Sequence, residues 1–334
     1  MKIVALEEHF LTPDVQAAWA AASLGGRDGS ESLHFGEIQQ RLEELGEARI
    51  SRMDESGVDV QVLSLTSPGL HGLAPAEGVS MARRTNDLLA AKIAAHPDRF
   101  DGFATMPTTA PREAAKELER CVRDLGLKGG MLFGRTRDKN LDHPDFLPIF
   151  EMAARLRVPL YIHPQTPSRV VRDVYYSGFS PEIDLAFATF GLGWHYDCGI
   201  QFVRLALAGV FDRLPDLQII LGHWGELVLF YTERLKAFSR VTALRRSVVD
   251  TMRENLYVTP SGMFNLPDFR HAIDVIGVDR VMFSADYPYQ YRTGGGPRKF
   301  LDELPIGEEE KQKIAHGNWA RLTRGIDRLV GKTL

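Results

Sequence analysis

Cysteine is scarce in this chain of 334 residues: Cys121 and Cys198 are the only two. One pair cannot make a disulfide framework or a cysteine-rich zinc site, which suits a reducing compartment. An excess of either charge is missing too, because 40 Lys and Arg are mixed with 44 Asp and Glu for a net charge of −4. Without a basic arm or stripe there is no electrostatic footing for a phosphate backbone, so no nucleic-acid partner is expected. No apolar run approaches the roughly 18 residues of a spanning helix, so no membrane partner is expected either. The opening residues Met1-Lys2-Ile3-Val4-Ala5-Leu6-Glu7 put a carboxylate where an export signal would continue its apolar run. The expected location is therefore cytoplasmic. Linkers and low-complexity tracts are also absent, and hydrophobic residues at 44% leave ample material for a core.

What the chain does contain is a repeating strand–helix alternation. Short apolar runs rich in β-branched residues occur at 2–6, 59–65, 100–106, 127–133, 158–162, 217–221, 256–259 and 280–284. Helical periodicity fills the intervals, at 37–56, 76–96, 111–125, 145–157, 199–214, 225–238 and 266–276, and again at 308–330. Eight strands with helical crossovers over this length predict an α/β fold of the (β/α)8 TIM-barrel type, in a single domain spanning 1–334. A doubly wound open sheet is the alternative, but no Gly-x-Gly-x-x-Gly turn follows the first strand. Two connections are unusually long, 10–36 and the aromatic-rich 164–198, and both are expected to form the pocket over the C-terminal mouth.

Side chains that can bind metal fall at strand ends. The first strand runs into Glu7-Glu8-His9, and residues two apart share a face, so Glu7 and His9 are expected inside the barrel with Glu8 outside. The fifth ends at His163, the sixth at His223 followed by Glu226, and the eighth at Asp286. In a barrel these ends converge on one axis. Two imidazoles and two carboxylates suit one divalent ion per chain, Zn2+ or Mn2+. His195, in the aromatic connection, is a pocket candidate. Histidines 34, 71, 96, 143, 271 and 316 are expected to be structural or solvent-facing. Gly294-Gly295-Gly296 lacks the lysine and helix start of a phosphate loop and reads as a mouth loop.

In these motifs the sequence resembles the amidohydrolase superfamily and, within it, the decarboxylase branch acting on 2,6-dihydroxybenzoate (γ-resorcylate), 2,3-dihydroxybenzoate and 5-carboxyvanillate. The carriers are Ala5-Leu6-Glu7-Glu8-His9-Phe10, Pro159-Leu160-Tyr161-Ile162-His163-Pro164, Leu221-Gly222-His223-Trp224-Gly225-Glu226 and Phe283-Ser284-Ala285-Asp286-Tyr287-Pro288. The segment from His316 to Leu322 is similar to the helix that closes these barrels. The resemblance implies Glu7, His9, His163 and Asp286 as metal ligands, with His223 a pocket residue hydrogen-bonded to Glu226. It also implies that Arg234 serves the pocket of a neighbouring subunit, in a homodimer or homotetramer. Many superfamily hydrolases begin with His-x-His and carry a bridging lysine at the end of strand four. Here the first motif is Glu-x-His and strand four ends Met131-Leu132-Phe133, so two metals are not expected.

The implied reaction is non-oxidative decarboxylation of an ortho-hydroxy aromatic acid, with Asp286 delivering the proton and His223 and Glu226 holding polar groups. Trp194, His195, Tyr287 and Tyr289 are expected in the substrate wall. Hydrolysis or hydration of a lactone, amide or enol-type acid uses nearly the same parts, and a silent binding scaffold is a third reading.

Overall fold

Strands buried on both faces build the architecture. The computed structural model describes residues 1–22, 28–326 and 329. In chain order the strands are β1 (Val4–Phe10), β2 (Val60–Leu65), β3 (Phe100–Gly102, resuming as Ala104–Thr105), β4 (Gly130–Phe133), β5 (Leu160–His163), β6 (Ile219–Leu221), β7 (Leu256–Val258) and β8 (Phe283–Ser284). All pair in parallel with their sequence neighbours, and β8 pairs with β1 through Ala5 opposite Phe283. At Phe103 the third strand changes partner: its N–H donates to Leu63 O at 2.9 Å, while Ala104 N donates to Gly129 O at 2.8 Å. Val258 bridges to Val281, and Met282 N donates to Val258 O at 2.9 Å. Those bonds close the ring, so the fold is the expected (β/α)8 barrel.

One apolar cluster fills the ring interior, with Val4, Leu6, Val60, Val62, Phe103, Met131, Tyr161, Ile220, Tyr257 and Met282, plus Trp319 from the closing C-terminal helix. The strand residues of opposite parity, such as Ala5, Leu160, Ile162, Ile219 and Leu221, pack against the helical layer. This two-sided burial is the reason the strands read as continuous apolar runs.

Several helix expectations need correction. The stretch 37–56 is two helices, Gly36–Glu43 and Glu47–Ser56, because buried Leu45 and extended Gly46 turn the chain between them. The helix expected at 199–214 begins earlier, at Gly193, and ends at Leu207. The helix expected at 225–238 is absent as a unit. After β6 the chain makes a turn at His223–Glu226, then short helical pieces Val228–Tyr231, Thr232–Leu235 and Lys236–Arg240. Left-handed backbone at Trp224 (φ 56°) and Gly225 (φ 88°) breaks any continuous helix there. The last helical stretch is interrupted by a π-turn at Lys313–Gly317, and its expected end at Val330 lies outside the described residues. Among the described residues no helix is long and apolar enough to cross a membrane.

Candidate active site

A bulge in β1 sets the site. Val4 and Leu6 face the interior, so strict alternation would bring Glu8 inside and turn Glu7 out. The pairing with β2 instead slips between Ala5 and Glu8, and Glu7 adopts φ 62°. The extra residue reverses the parity, so Leu6, Glu7 and His9 all face inward. Glu8 faces outward, where its Oε1 accepts the Ala285 N–H at 2.7 Å and its Oε2 accepts Gln61 Nε2 at 3.1 Å. Arg49, fully buried, donates to Gln61 Oε1 at 2.6 Å and to His9 O at 2.8 Å. This braces the ends of β1, β2 and β8 against one another.

Inside the mouth, Glu7, His9 and His163 bring one ligand atom each to within 4.8 Å of one another. His163 Nε2 lies 3.5 Å from Glu7 Oε1, and His9 Nε2 lies 3.5 Å from Asp286 Oδ1. Asp286 thus adjoins the triad through His9. Glu7 Oε2 accepts the Tyr161 hydroxyl at 2.5 Å and a very short bond from Ser261 Oγ. His163 Nδ1–H donates to Pro164 O at 2.8 Å, which leaves the lone pair on Nε2. Gly222 passes so close that a Cβ there would meet Ser261 Oγ at 2.5 Å and Glu7 Oε2 at 2.8 Å, so no larger residue fits.

Electrostatically, these groups match a cation. Burial pulls His9 down to about 3, with Arg49 adding to it, and burial holds His163 well below the usual imidazole range. Both rings are therefore neutral, the form a metal takes. Burial raises Glu7 to about 8 against the pull of His223, and raises Asp286 to about 7. Glu7 Oε1 and His9 Nε2 are buried without hydrogen-bond partners among the described residues. Two facing acceptors left bare are costly unless something positive lies between them. Imidazole nitrogens with carboxylate oxygens fit a divalent ion of the zinc or manganese type.

Beside this group stands a second one. Glu226, buried, accepts His223 Nδ1 at 2.6 Å and His195 Nδ1 at 2.7 Å, while Trp194 Nε1 donates to His195 Nε2 at 3.0 Å. The left-handed turn at His223 (φ 46°), Trp224 and Glu226 (φ 51°) folds the carboxylate back onto its own imidazole. Such strained backbone persists where surrounding structure over-determines it. Burial opposes charge on His223, but the Glu226 carboxylate outweighs it and holds the ring up to about 10. Burial likewise opposes ionisation of Glu226, yet the two imidazoles hold it down to about 2.

The sign of both shifts favours the ionised pair. The contribution of Glu226 is complete above about pH 4.5 and lost as the pH falls through about 2. That of His223 is complete below about pH 6.5 and lost as the pH rises through about 10. In Glu226→Gln, burial dominates and the His223 ring becomes neutral at pH 7. An NMR titration of the ring checks this, and a ring still protonated above pH 8 would contradict it.

A cavity of ≈360 Å³ opens over both groups, lined by His163, His195, His223, Ser261, Asp286 and Tyr289, with Phe190, Trp194, Leu33, Ile38 and Met263 as apolar walls. The volume lies at the small end of the roughly 300–1,000 Å³ of ligand pockets. Residues of both long connections reach it. Of the residues expected to bind substrate, Tyr287 and Arg234 are not part of that lining. Tyr287 is turned away: its ring lies 4.5 Å beneath the Arg49 guanidinium and only its carbonyl, accepting His9 N at 2.7 Å, touches the site. Its neighbour two residues on, Tyr289, takes the wall, with its hydroxyl 2.6 Å from Thr66 Oγ1. Arg234 is exposed on the short helix Thr232–Leu235 and does not line the cavity of its own chain.

Sequence reading missed Ser261, Tyr161 and His34. Thr259-Pro260-Ser261, polar residues just past an apolar strand, was the available signal for the first. Tyr161 shares parity with His163. His34, expected to be structural, lines the cavity, and nothing in its surroundings in sequence marks it.

The chain belongs to the amidohydrolase family, whose profile, described as Amidohydrolase, matches residues 14–324. A gamma-resorcylate decarboxylase of Polaromonas sp. (strain JS666) is 33% identical over 330 residues, covering 94% of this chain and 96% of that protein. The crystal structure of 5-carboxyvanillate decarboxylase from Sphingomonas paucimobilis matches with a TM-score of 0.89 and 31% identity, covering 97% of this chain and 99% of that one. A dihydroxybenzoic acid decarboxylase from Polaromonas sp. JS666, with bound manganese and the inhibitor 2-nitroresorcinol, matches with a TM-score of 0.84 and 30% identity, each chain covered to 97%.

Proposed function

We propose that this chain is a metal-dependent, non-oxidative carboxy-lyase that removes CO2 from an ortho-hydroxy aromatic carboxylic acid. The observation that carries the reading is the pair of bare, buried acceptors, Glu7 Oε1 and His9 Nε2, facing His163 and Asp286 in a barrel whose relatives are aromatic-acid decarboxylases. Glu7, His9, His163 and Asp286 would hold one divalent ion, manganese or zinc. When bound, it supplies Lewis acidity to the phenol and carboxylate oxygens of the substrate.

The chain's own residues do the rest. His223, positively charged and fixed by Glu226, presents its remaining N–H to an anionic oxygen of the substrate. Phe190, Trp194 and Met263 flank the ring and exclude water. Asp286 delivers a proton to the ring carbon that bears the carboxylate. The ring–carboxylate bond then breaks, its electron pair restores aromaticity, and CO2 leaves. Solvent returns the proton to Asp286. We read residues 1–334 as one catalytic unit of the cytoplasm, a location supported by the free, buried thiols of Cys121 and Cys198. The test is CO2 release by the manganese-loaded protein from a panel of hydroxybenzoates. Turnover of lactones or enol acids without CO2 would replace this reading with hydrolysis or hydration.

The same proposal includes a second copy of the chain. Phe190 and Met263 line the cavity yet remain 55% and 40% exposed, and Val170, Val174, Phe230 and Val241 extend the exposed apolar side chains on neighbouring connections. Exposed apolar area on this scale supports a subunit contact. A homodimer, or a tetramer built from it, would cover the mouth and bring the partner subunit's Arg234 to a carboxylate in a two-pronged grip. Mixing inactive Asp286→Asn with inactive Arg234→Ala tests this: subunit exchange recovers activity, because one pocket of the hybrid has both residues. An inactive mixture after verified exchange, or an active wild-type monomer, would end the shared-site idea.

A further inference from the structure

Strand β7 brings neither imidazole nor carboxylate to the mouth, but the residues after it, Thr259-Pro260-Ser261, bring two hydroxyls, both fully buried. Ser261 holds left-handed backbone, φ 45°, which a residue with a Cβ keeps only where its surroundings over-determine it. Here three hydrogen bonds do so. Its N–H donates to Ser284 Oγ at 2.7 Å, its Oγ accepts the His223 N–H at 2.9 Å, and the same Oγ donates to Glu7 Oε2. One hydroxyl thus joins the end of β1, the end of β8 and the turn after β6.

Each hydroxyl has a single proton, so the direction of every bond follows. The Tyr161 proton goes to Glu7 Oε2 at 2.5 Å, so Thr259 Oγ1, 2.8 Å from the Tyr161 oxygen, is the donor of that pair. Glu7 Oε2 therefore takes two hydroxyl protons. Gly222 closes its remaining side, where a Cβ would lie 2.8 Å from Oε2 and 2.9 Å from the Tyr161 hydroxyl. Oε1 takes no proton and faces His163 Nε2 at 3.5 Å. The two oxygens of one carboxylate are thus inequivalent. Swinging Oε2 towards His163 would break two charge-assisted hydrogen bonds together and leave two buried hydroxyls without an acceptor.

We propose that Tyr161 and Ser261 are positioning residues that confine Glu7 to single-oxygen coordination of the metal, through Oε1, with Ser261 tying that ligand to the turn that carries His223. This rests on the metal-dependent reading above. The test titrates metal-depleted protein with manganese, reading the free ion and the spectrum of the bound ion by EPR. The set is wild type, Tyr161→Phe, Ser261→Ala, Ser261→Gly, the double variant Tyr161→Phe/Ser261→Ala, and Thr259→Val. Phenylalanine keeps the ring packed edge-on against Phe103 at 5.9 Å and loses only the oxygen. Glycine relaxes the left-handed backbone without restoring a hydroxyl. Valine removes a hydroxyl that touches Tyr161 but not Glu7. Tyr161→Phe and both Ser261 variants are expected to bind manganese about 10–100-fold more weakly, the loss typical of a group that orients a ligand. The double variant binds more weakly still, and its bound-ion spectrum changes as Oε2 becomes free to coordinate. Thr259→Val keeps the wild-type affinity and spectrum. Wild-type binding in Tyr161→Phe and in the double variant would overturn the proposal. So would wild-type binding in Ser261→Gly, which would leave Ser261 a purely backbone role, or an equal loss in Thr259→Val. A wild type that takes up no manganese would overturn the metal-dependent reading itself.

Discussion

Replacing His163 with alanine strips the protein of its metal and its activity together. Three features make this the largest expected effect on binding. The ring is fixed by its Nδ1–H bond to Pro164 O and by edge contact with Phe133 at 5.4 Å, so its Nε2 is presented without rotational loss. Burial keeps it neutral, so no proton has to leave before coordination. Its removal leaves Glu7 Oε1 facing a gap that water cannot fill with equal charge. Loss of a group that merely supports a ligand costs roughly 10–100-fold in metal affinity, and loss of a ligand itself should exceed that. Metal content per chain, measured after dialysis at a fixed free concentration, reads the effect directly. Full occupancy with wild-type turnover would remove His163 from the ligand set.

Asp286→Asn separates binding from chemistry. The amide keeps an oxygen near His9 Nε2, so metal content measured alongside remains substantial, but it has no proton to give. Positioned general acids contribute about 10²–10⁴-fold, and kcat is expected to fall by that much while substrate still quenches or shifts a binding signal. The left-handed backbone at Asp286 (φ 57°) is tolerated by asparagine better than by most residues, so folding should survive. A metal-replete variant with near wild-type kcat would take the proton-donor role from Asp286.

How much of this was legible in the sequence depends on which physical signal carries each part. Strands buried on both faces announce themselves as apolar runs, and all eight were readable from that alone. The residues at their C-terminal ends followed, because a barrel converges them whatever their separation in the chain. The bulge at Glu7 was not readable. Val4 and Leu6 and the pair Glu7 and His9 demand opposite parities, and only one extra residue reconciles them. The turn after β6 escaped for a similar reason: apolar spacing across 225–238 satisfies a helix, while the left-handed residues that break it answer to the Glu226–His223 and Glu226–His195 hydrogen bonds. Tyr287 and Tyr289 were indistinguishable by composition, and which one meets the cavity was decided by the Arg49 guanidinium lying over the Tyr287 ring. His34 was invisible because a pocket wall built by a long connection has no period to betray it.

The most direct measurement is the fate of one hydrogen. Manganese-loaded protein is incubated with 2,6-dihydroxybenzoate in D2O and the product is followed by proton NMR. Decarboxylation through ring protonation yields resorcinol carrying one deuterium at the carbon that lost the carboxylate, with CO2 in equal amount. A carboxylate left intact, or a product with the ring hydrated or opened and no CO2, would contradict the proposed function.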